Sequence, residues 1–579
     1  MAFVSSFLLF SSHNNHTSNL ESFGPSLFLL QFNSVALTVY AAGLFMLLKV
    51  SRTKFERDVV TNADRIAEKS TVKTSKINSS TARSVHLPFK LAMTFALISG
   101  LRKIDIINAF CAALWEHAVG NAFSQLTTLT HVNLATGGPV FPLSEVKVHC
   151  TVSDLWLIID SEVYDATSFA PDHPGGTIIN KYAGKDCSDQ FKAFHRPRVA
   201  GYLKKYRIGS LRPEDRAEPS AATVAYRDLR TKLWKDGHFK PNATYYYGRH
   251  AVWVFLILLS VVCVMRGPNF SVRVLLGGCS LGLGLQQAAF LAHDAAHNGV
   301  LEPAGKGSVN WLAWFLGSVV FGISISMWTE EHSMHHAITI RPREDPQFNY
   351  LPIWLIDKKE LENEEVDGKG GYKMNPVVKF LVRLQHFHFL PLVIIVGRVN
   401  LHAISVVFEL KRIFEQSKSP SSISASSFLG LLGMAVYWTW HGTLVSHLPT
   451  YLDIAIFSLC SHITAGFLHI QLLLSHMNVA THTEEEEDAM GFFKFQCQTS
   501  RNIKVEPYED WFHGGLQYQI EHHLFPQLPR HQLIVVKPMV EEICSQHGVI
   551  YRDDTFTEAL TGVLRNLKEL AWAVVTLDQ

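Results

Sequence analysis

Residues 293–297 read His-Asp-Ala-Ala-His, residues 332–336 read His-Ser-Met-His-His, and residues 519–523 read Gln-Ile-Glu-His-His. Positions i, i+3 and i+4 of a helix lie on one face, so each cluster aims its imidazoles in one direction. Imidazole binds iron, zinc, copper and nickel. The clusters hold seven histidines, more than the four ligands of a closed zinc site. They therefore predict a centre of two metal ions, shared by three helical segments.

A single cluster of this kind is more often a group of solvated or hydrogen-bonded histidines than a metal site. Three clusters, each beside a long apolar segment, favour the metal site. The candidate ligands are His293, His297, His332, His335, His336, His522 and His523. Asp294 and Glu521 lie inside the clusters on other helical faces, and we expect them to orient ligands rather than to bind metal.

The composition narrows the class of protein. The chain has 579 residues and a formal net charge of +1, which gives no electrostatic reason to expect nucleic-acid binding. Hydrophobic residues make up 47% and charged residues 18%, a balance that predicts soluble portions beside apolar spans. The eight cysteines are scattered and form no Cys-x-x-Cys pair. A disulfide framework or a structural zinc site is therefore not expected.

Apolar segments surround the clusters, and a helix needs about 20 mostly apolar residues to cross a bilayer. Two transmembrane hairpins are predicted, formed by residues 251–265 with 271–292 and by residues 427–446 with 454–475. Residues 311–327 are expected not to cross. Residues 389–407 are expected to lie at the interface because they contain Arg398 and His402. Four crossings place all three clusters on one face of the membrane.

The segments before residue 145 carry no cluster. Residues 1–26 are predicted to be lumenal and residues 27–48 to form a transmembrane anchor, because Lys49 and Arg52 follow it and positive residues stay in the cytosol. A cleaved targeting sequence is the alternative. Residues 49–144 are predicted to be a polar linker followed by an uncertain helical region.

A small soluble domain is predicted at residues 145–212. It contains Asp172-His173-Pro-Gly-Gly, in which the glycines allow a turn and the proline stiffens the loop that presents His173. His195 follows. Two opposed histidines can hold a haem iron from both faces, which favours electron transfer over oxygen binding. This stretch resembles cytochrome b5, and the resemblance implies that His173 and His195 are the axial ligands of haem b.

The three clusters resemble those of membrane fatty acyl desaturases. Residues 511–526 read Trp-Phe-His-Gly-Gly-Leu-Gln-Tyr-Gln-Ile-Glu-His-His-Leu-Phe-Pro, and they are similar to front-end desaturases with an N-terminal cytochrome b5 domain. The resemblance implies that the seven histidines bind two iron ions and that Gln519 is a weaker ligand. It also makes His476 a candidate for a further ligand and His386 a weaker candidate.

The predicted fold is an α-helical membrane protein of the histidine-box di-iron desaturase type. It has four transmembrane helices in two hairpins, additional interfacial helices and an N-terminal α+β cytochrome b5-like domain. Residues 213–248 form the connector, residues 249–545 the membrane desaturase domain and residues 546–579 a cytosolic tail.

The combination of a haem domain with a histidine-rich metal site in a membrane domain predicts an oxidoreductase. It uses O2 and two electrons to form a double bond in a lipid acyl chain or sphingoid long-chain base. The resemblance leaves open a sphingolipid delta-8 or a polyunsaturated delta-4, delta-5 or delta-6 substrate, carried as ceramide, phospholipid or acyl-CoA. It implies NADH–cytochrome b5 reductase as the electron donor and the endoplasmic reticulum, or alternatively a plastid, as the membrane. A lipid hydroxylase and a non-catalytic haem-binding membrane receptor are the alternative functions.

Overall fold

The computed structural model describes residues 138–300, 310–348, 353–359, 376–416 and 425–576. The predicted lumenal segment 1–26, the anchor 27–48 and all but the last residues of the region 49–144 lie outside the described residues. The described chain consists of a small sheet domain followed by a larger helical domain.

A five-stranded sheet forms the centre of the first domain, in the order β1-β5-β4-β3-β2. The strands are β1 (Val140–Phe141), β2 (Cys150–Thr151), β3 (Asp154–Ile159), β4 (Glu162–Asp165) and β5 (Arg207–Leu211). β1 pairs parallel with β5, and the other neighbours are antiparallel. Because β1 precedes residue 145, the sheet extends beyond the predicted start of this domain.

The pleat of β3 separates two small cores. Leu155 and Leu157 pack on one side of the sheet, and Ile158 packs with Val163 on the other, as expected when successive side chains alternate. Short helices cover the domain, namely α1 (Leu143–Val146), α2 (Ser188–Phe194) and α3 (Ala200–Leu203). Two 3-10 turns, Ala170–Asp172 and Gly176–Tyr182, flank the loop that carries His173.

The helical domain begins with a run of helices that follow one another along the chain. They are α4 (Ala221–Lys235), α5 (Ala243–Arg266), α6 (Gly277–Ala296), α7 (Trp311–Trp314), α8 (Ile325–Ala337), α9 (Pro376–Arg383), α10 (Gln385–Pro391), α11 (Gly397–Gln416), α12 (Ala425–Val445) and α13 (Tyr451–Leu474). Among the described residues, a π-helical stretch at Ser271–Leu276 leads into α6, and two others, at Phe315–Phe321 and Leu392–Val396, follow α7 and α10.

The remaining elements cover the end of the domain that carries the clusters. They are α14 (Glu484–Met490), α15 (Phe492–Thr499), β6 (Asn502–Lys504), α16 (Asp510–His513), α17 (Gln519–Leu524), α18 (Arg530–His547), β7 (Asp553–Thr555) and α19 (Phe556–Thr576). β6 pairs parallel with β7.

Helix α6 lies at the centre of the bundle and contacts both α5 and α13. A Cβ atom on Gly278 would lie 2.7 Å from the carbonyl oxygen of Phe457, and one on Gly282 would collide with the carbonyl oxygen of Ser461. Small residues at a four-residue spacing allow two helix backbones to approach closely. The close contact brings the last turn of α6, with the first histidine cluster, next to the end of α13.

Four helical segments are long and apolar enough to cross a membrane: Ala243–Arg266, Ser271–Ala296, Gln385–Phe414 and Tyr451–Leu474. Three of them match predicted spans. The predicted span 427–446 forms α12 but is not among the four, and the predicted interfacial segment 389–407 is. Arg398 and His402 do not face solvent, because Arg398 donates to the Tyr437 hydroxyl at 2.5 Å and His402 to the Gly322 carbonyl at 2.6 Å.

Both ends of Gln385–Phe414 nevertheless contact elements near the histidine clusters. Gln385 donates to the carbonyl of Leu567 at 2.8 Å. Leu567 belongs to the same hydrophobic core as Ile340, which follows the second cluster in the chain. Near the other end, Glu409 lies against Gly430 in the first turns of α12. These contacts are compatible with the predicted interfacial position, although length and composition permit a crossing.

Residues 311–337 are also bent. Trp311–Phe321 and Ile325–Ala337 meet at 110°, at Gly322, whose φ of +89° is a conformation that glycine adopts without strain. The two helices therefore do not form a straight crossing. Asn310, at the start of α7, donates to the carbonyl of Ala295 at 2.5 Å, and the Trp314 indole donates to the Leu429 carbonyl at 2.7 Å. The beginnings of α7 and α12 thus lie near the first cluster.

Candidate metal centre and haem site

The three histidine clusters converge in two groups. The first group contains His293, His297, His332 and His522, and the second contains His335, His476 and His523. Within each group, one candidate ligand atom from every residue lies within 4.8 Å of the others. The structure therefore brings together residues from α6, α8, α17 and the end of α13, as a shared centre requires.

The second cluster contributes to both groups, because its histidines lie on successive turns of α8. Ser324 caps this helix by accepting a hydrogen bond from the Met327 amide. His332 points into the first group and His335 into the second. His336 lies between them: its Nε2 is 3.1 Å from Nε2 of His332, and its ring stacks on that of His523 at 4.1 Å.

Four of the seven imidazoles in the two groups donate Nδ1–H to an acceptor outside the groups. The pairs are His332 with Gln347 (2.9 Å), His335 with Asp345 (2.7 Å), His476 with the Thr499 carbonyl (3.0 Å) and His523 with Gln496 (2.9 Å). Such partners fix the ring orientation and leave Nε2 as the metal-binding atom. Sequence reasoning missed these acceptors. Only the closeness of Asp345 and Gln347 to the second cluster could have indicated them.

Several polar atoms that face the groups have no hydrogen-bond partner among the described residues. They are Nε2 of His293, His297, His522 and His523, and Oε1 of Gln519. A buried polar atom without a partner costs free energy. Burial lowers the pKa of His522 and His523 well below its usual value, and neighbouring imidazoles lower it further. The rings are therefore neutral, which is the form that binds metal, so these residues fit a metal centre.

Gln519 and Asp294 contact cluster histidines in different ways. The amide nitrogen of Gln519 lies 3.1 Å from Nε2 of His476, at the edge of the second group. Asp294 accepts from His293 Nδ1 at 3.4 Å and from the Arg530 guanidinium at 2.6 Å. That guanidinium forms an ion pair with the buried Asp294 carboxylate. Asp294 thus contacts a cluster ring from outside the groups, as expected.

Glu521 was expected to orient a ligand in the same way, and the structure shows a different role. Its carboxylate accepts hydrogen bonds from Asn502 at 2.8 Å and from Tyr551 at 2.7 Å. The side-chain oxygen of Asn502 in turn accepts from the Ile520 amide at 2.9 Å. Glu521 therefore anchors α17 to β6 rather than orienting an imidazole. His386, the weaker candidate, lies in neither group.

The two predicted haem ligands face each other across the first domain. The His173 and His195 rings have centroids 6.1 Å apart, which suits one ion between them because a bond from metal to imidazole is about 2 Å long. Nδ1 of His173 donates to the Gly176 carbonyl at 3.3 Å, and Nδ1 of His195 to the Phe191 carbonyl at 2.9 Å. Each Nε2 therefore keeps a free lone pair.

Burial also keeps both of these rings neutral. It lowers the pKa of His173 and, with the nearby His173, lowers the pKa of His195 to about 4. A neutral imidazole with Nδ1 bonded to a carbonyl is a suitable axial ligand. The geometry and the donor atoms thus fit a haem iron held from both faces.

Two families of known proteins match the regions that contain these residues. Residues 269–555 match the family described as "Fatty acid desaturase", and residues 142–212 match "Cytochrome b5-like Heme/Steroid binding domain". The chain is 31% identical over 446 residues to "Delta(8)-fatty-acid desaturase" of Helianthus annuus, covering 76% of this chain and 93% of that protein. The chain belongs to the fatty acid desaturase family.

Other relatives carry related names. The desaturase is 30% identical over 448 residues to "Acyl-lipid (9-3)-desaturase" of Physcomitrium patens, covering 75% of this chain and 78% of that protein. It is 28% identical over 447 residues to "Fatty acid desaturase 2-like protein FADS2B" of Mus musculus, covering 75% and 85% respectively. The predicted fold class and the predicted class of enzyme, a front-end desaturase with a fused cytochrome b5 domain, are confirmed. The two families imply iron and haem.

A small pocket of the desaturase lies beside the first histidine group. Its lining includes His293 and His522 of that group, Leu516 and Arg530. Gly514 and Gly515 form another wall, with φ values of +60° and +93°. A Cβ atom on Gly514 would collide with the Phe290 ring, so this glycine allows the chain to pass close to α6. Residues 514–516 therefore contribute directly to the surroundings of the metal centre.

Proposed function

We propose that the two histidine groups bind the two iron ions of an acyl-lipid desaturase. His293, His297, His332 and His522 hold one ion, and His335, His476 and His523 hold the other. His336 binds between them, and Gln519 is a weaker ligand at the second site. The observation that carries this proposal is the set of buried, unpartnered Nε2 atoms that face the groups.

Bound iron would supply the activation of O2 that removes two hydrogens from neighbouring carbons. One –CH2–CH2– unit, O2, two electrons and two protons give one –CH=CH– unit and two waters. Burial keeps the His522 and His523 imidazoles neutral. Hydrogen bonds to Nδ1 hold the rings of His332, His335, His476 and His523. The Asp294–Arg530 pair holds His293 from outside the group. His332, His335, His476, His522 and His523 are buried, which limits the access of bulk water to the centre.

We further propose that haem b binds between His173 and His195 and supplies the electrons one at a time. NADH–cytochrome b5 reductase would reduce the haem. Opposed, neutral imidazoles support this role because they fill both axial positions and leave none for oxygen.

For the substrate, we propose a delta-8 position in a sphingoid long-chain base. Several relatives are named delta(8) desaturases. Residues 514–516, within the stretch that resembles front-end desaturases, line the pocket beside the first histidine group. Relatives named acyl-lipid (9-3)-desaturase support the alternative, a polyunsaturated acyl chain.

Lipid profiling tests the reaction and the substrate. A host without such activity should gain long-chain bases with a new double bond at position 8 when it produces the chain, and a His522→Ala variant should produce none. New double bonds only in fatty acyl chains would favour the alternative substrate. A hydroxylated product would show that the same site acts as a hydroxylase, and an unchanged lipid profile would contradict desaturation.

We propose that the enzyme lies in the endoplasmic reticulum membrane with both sites in the cytosol. The bent segment 311–337 and the contacts at both ends of Gln385–Phe414 support two hairpins with all clusters on one face. The loops at Asn269 and Leu448 should then be lumenal. Glycosylation acceptor sites inserted in these loops should be modified, whereas sites inserted after His547 should not. The opposite pattern would contradict this topology, and targeting to a plastid would be the alternative location.

A further inference from the structure

The haem-domain residues on either side of His195 contact the desaturase domain. The Phe194 carbonyl accepts a hydrogen bond from Gln527, which lies shortly after the third cluster. The Arg196 guanidinium donates to the carbonyl of Asn298, the residue after His297, at 2.7 Å. The proposed axial ligand is therefore bracketed by two contacts, and each reaches a segment that carries proposed iron ligands.

The side chain of Phe194 completes this contact. Its ring lies 6.3 Å from the His336 ring, centroid to centroid, in an edge-to-face arrangement with an interplanar angle of 87°. His336 is buried between the two histidine groups. The residue that precedes His195 thus reaches, through its own aromatic ring, an imidazole at the centre of the metal site.

Further polar and charged contacts hold the two domains together. Lys181 pairs with Glu344 at 2.5 Å, and Lys185 pairs with Asp488 at 2.6 Å. The Tyr182 hydroxyl donates to the carbonyl of Ala337, the residue after His336, at 3.2 Å. Surface ion pairs contribute little individually. Because the domains share one chain, however, the contact forms at high effective concentration.

We propose that Phe194 is the positioning residue for electron transfer from the haem domain to the histidine-bound iron. This inference rests on the proposed function. Each transfer oxidises the haem by one electron and reduces the iron centre by one, and two transfers supply one desaturation. The Phe194 ring, carried by the residue next to His195, contacts the His336 ring edge to face, so the electron crosses packed protein rather than a gap. A shorter, non-aromatic side chain leaves a gap there, and transfer across a gap is slower.

Haem reoxidation in the full-length protein tests the proposal. The haem is reduced under anaerobic conditions, mixed with O2 and lipid substrate, and followed by its visible absorbance. Phe194→Leu should slow reoxidation by about tenfold, equivalent to about 1.4 kcal/mol of activation free energy. Phe194→Tyr, which keeps the ring, should restore a rate near that of the wild type. Tyr202→Leu removes an exposed ring of the same domain and should change nothing.

Two further measurements distinguish a slower transfer from a damaged or undocked domain. The low-spin haem spectrum and the rate of haem reduction by the reductase should be the same in Phe194→Leu and the wild type. Amide hydrogen exchange of residues 330–338, measured in iron-depleted protein, should also be unchanged. Equal reoxidation rates in Phe194→Leu and the wild type would overturn the proposal, as would faster exchange of that segment in the variant. Wild-type haem that is not reoxidised would instead contradict the proposed function.

Discussion

Replacing His522 with Ala should abolish desaturation and remove most of the bound iron. His522 is buried in the first group with His293, His297 and His332, and its Nε2 has no hydrogen-bond partner among the described residues. A methyl group offers no replacement donor. Loss of an outer hydrogen-bond partner alone costs metal affinity about 10–100-fold, so loss of the ligand should cost more. Iron per protein, measured by mass spectrometry on the purified variant, gives the result directly.

The same measurement on matched variants gives the expected order of effects. His447→Ala removes an exposed histidine and should change neither iron nor product. Asp345→Asn replaces the charged acceptor of His335 Nδ1 and should lower iron less than His522→Ala does. Full iron with full activity in His522→Ala would contradict the assignment of two iron ions to these groups.

Gln519 provides a graded comparison at the second group. Its amide nitrogen lies 3.1 Å from Nε2 of His476, at the edge of the group. Because Gln519 is proposed as a weaker ligand than a histidine, Gln519→Ala should cost less iron than His522→Ala. Gln519→His should retain iron, because imidazole is a competent ligand, but should change activity because the donor differs. Equal iron loss in Gln519→Ala and His522→Ala would show that the amide is a full ligand.

The sequence was sufficient to predict the parts of this enzyme but not how they meet. Helical spacing within the clusters predicts which histidines share a face, and apolar length predicts the hairpins of α5 with α6 and of α12 with α13. Spacing does not show that His332 and His335 point into different groups, because that depends on where α8 lies relative to α6 and α17. Gln496 was missed for the same reason, since a hydrogen-bond partner can lie anywhere in the chain.

The prediction that residues 389–407 lie at the membrane interface shows a second limit of prediction from the sequence. It rested on Arg398 and His402, taken as residues that avoid the membrane interior. The structure gives both of them protein partners, Tyr437 and Gly322, and a buried polar group with a partner does not require solvent. Contacts at the ends of the segment, not its composition, support the interfacial position. The contact of the haem domain through Phe194 also joins residues that are far apart in sequence. Such a contact produces no periodic pattern in the sequence, so it could not be predicted.

Replacing His173 with Ala should remove the haem and, with it, desaturation. His173 and His195 face each other at 6.1 Å between ring centroids, so one methyl group in place of an imidazole leaves the haem iron with an empty axial position. The six-coordinate, low-spin spectrum of the full-length protein should disappear. Iron at the histidine groups should stay at the wild-type level, because no described contact joins His173 to a cluster histidine.

The combination of lost haem, lost product and unchanged iron is the informative result, because it separates the electron supply from the metal centre. His149→Ala is a matched control in the same domain: His149 stacks on Trp156 at 3.6 Å and lies outside the proposed haem site. That variant should keep the low-spin spectrum and the product. Product formed by a haem-free His173→Ala protein would mean that electrons reach the iron from a separate carrier, and the contact through Phe194 would then have no role in supplying them.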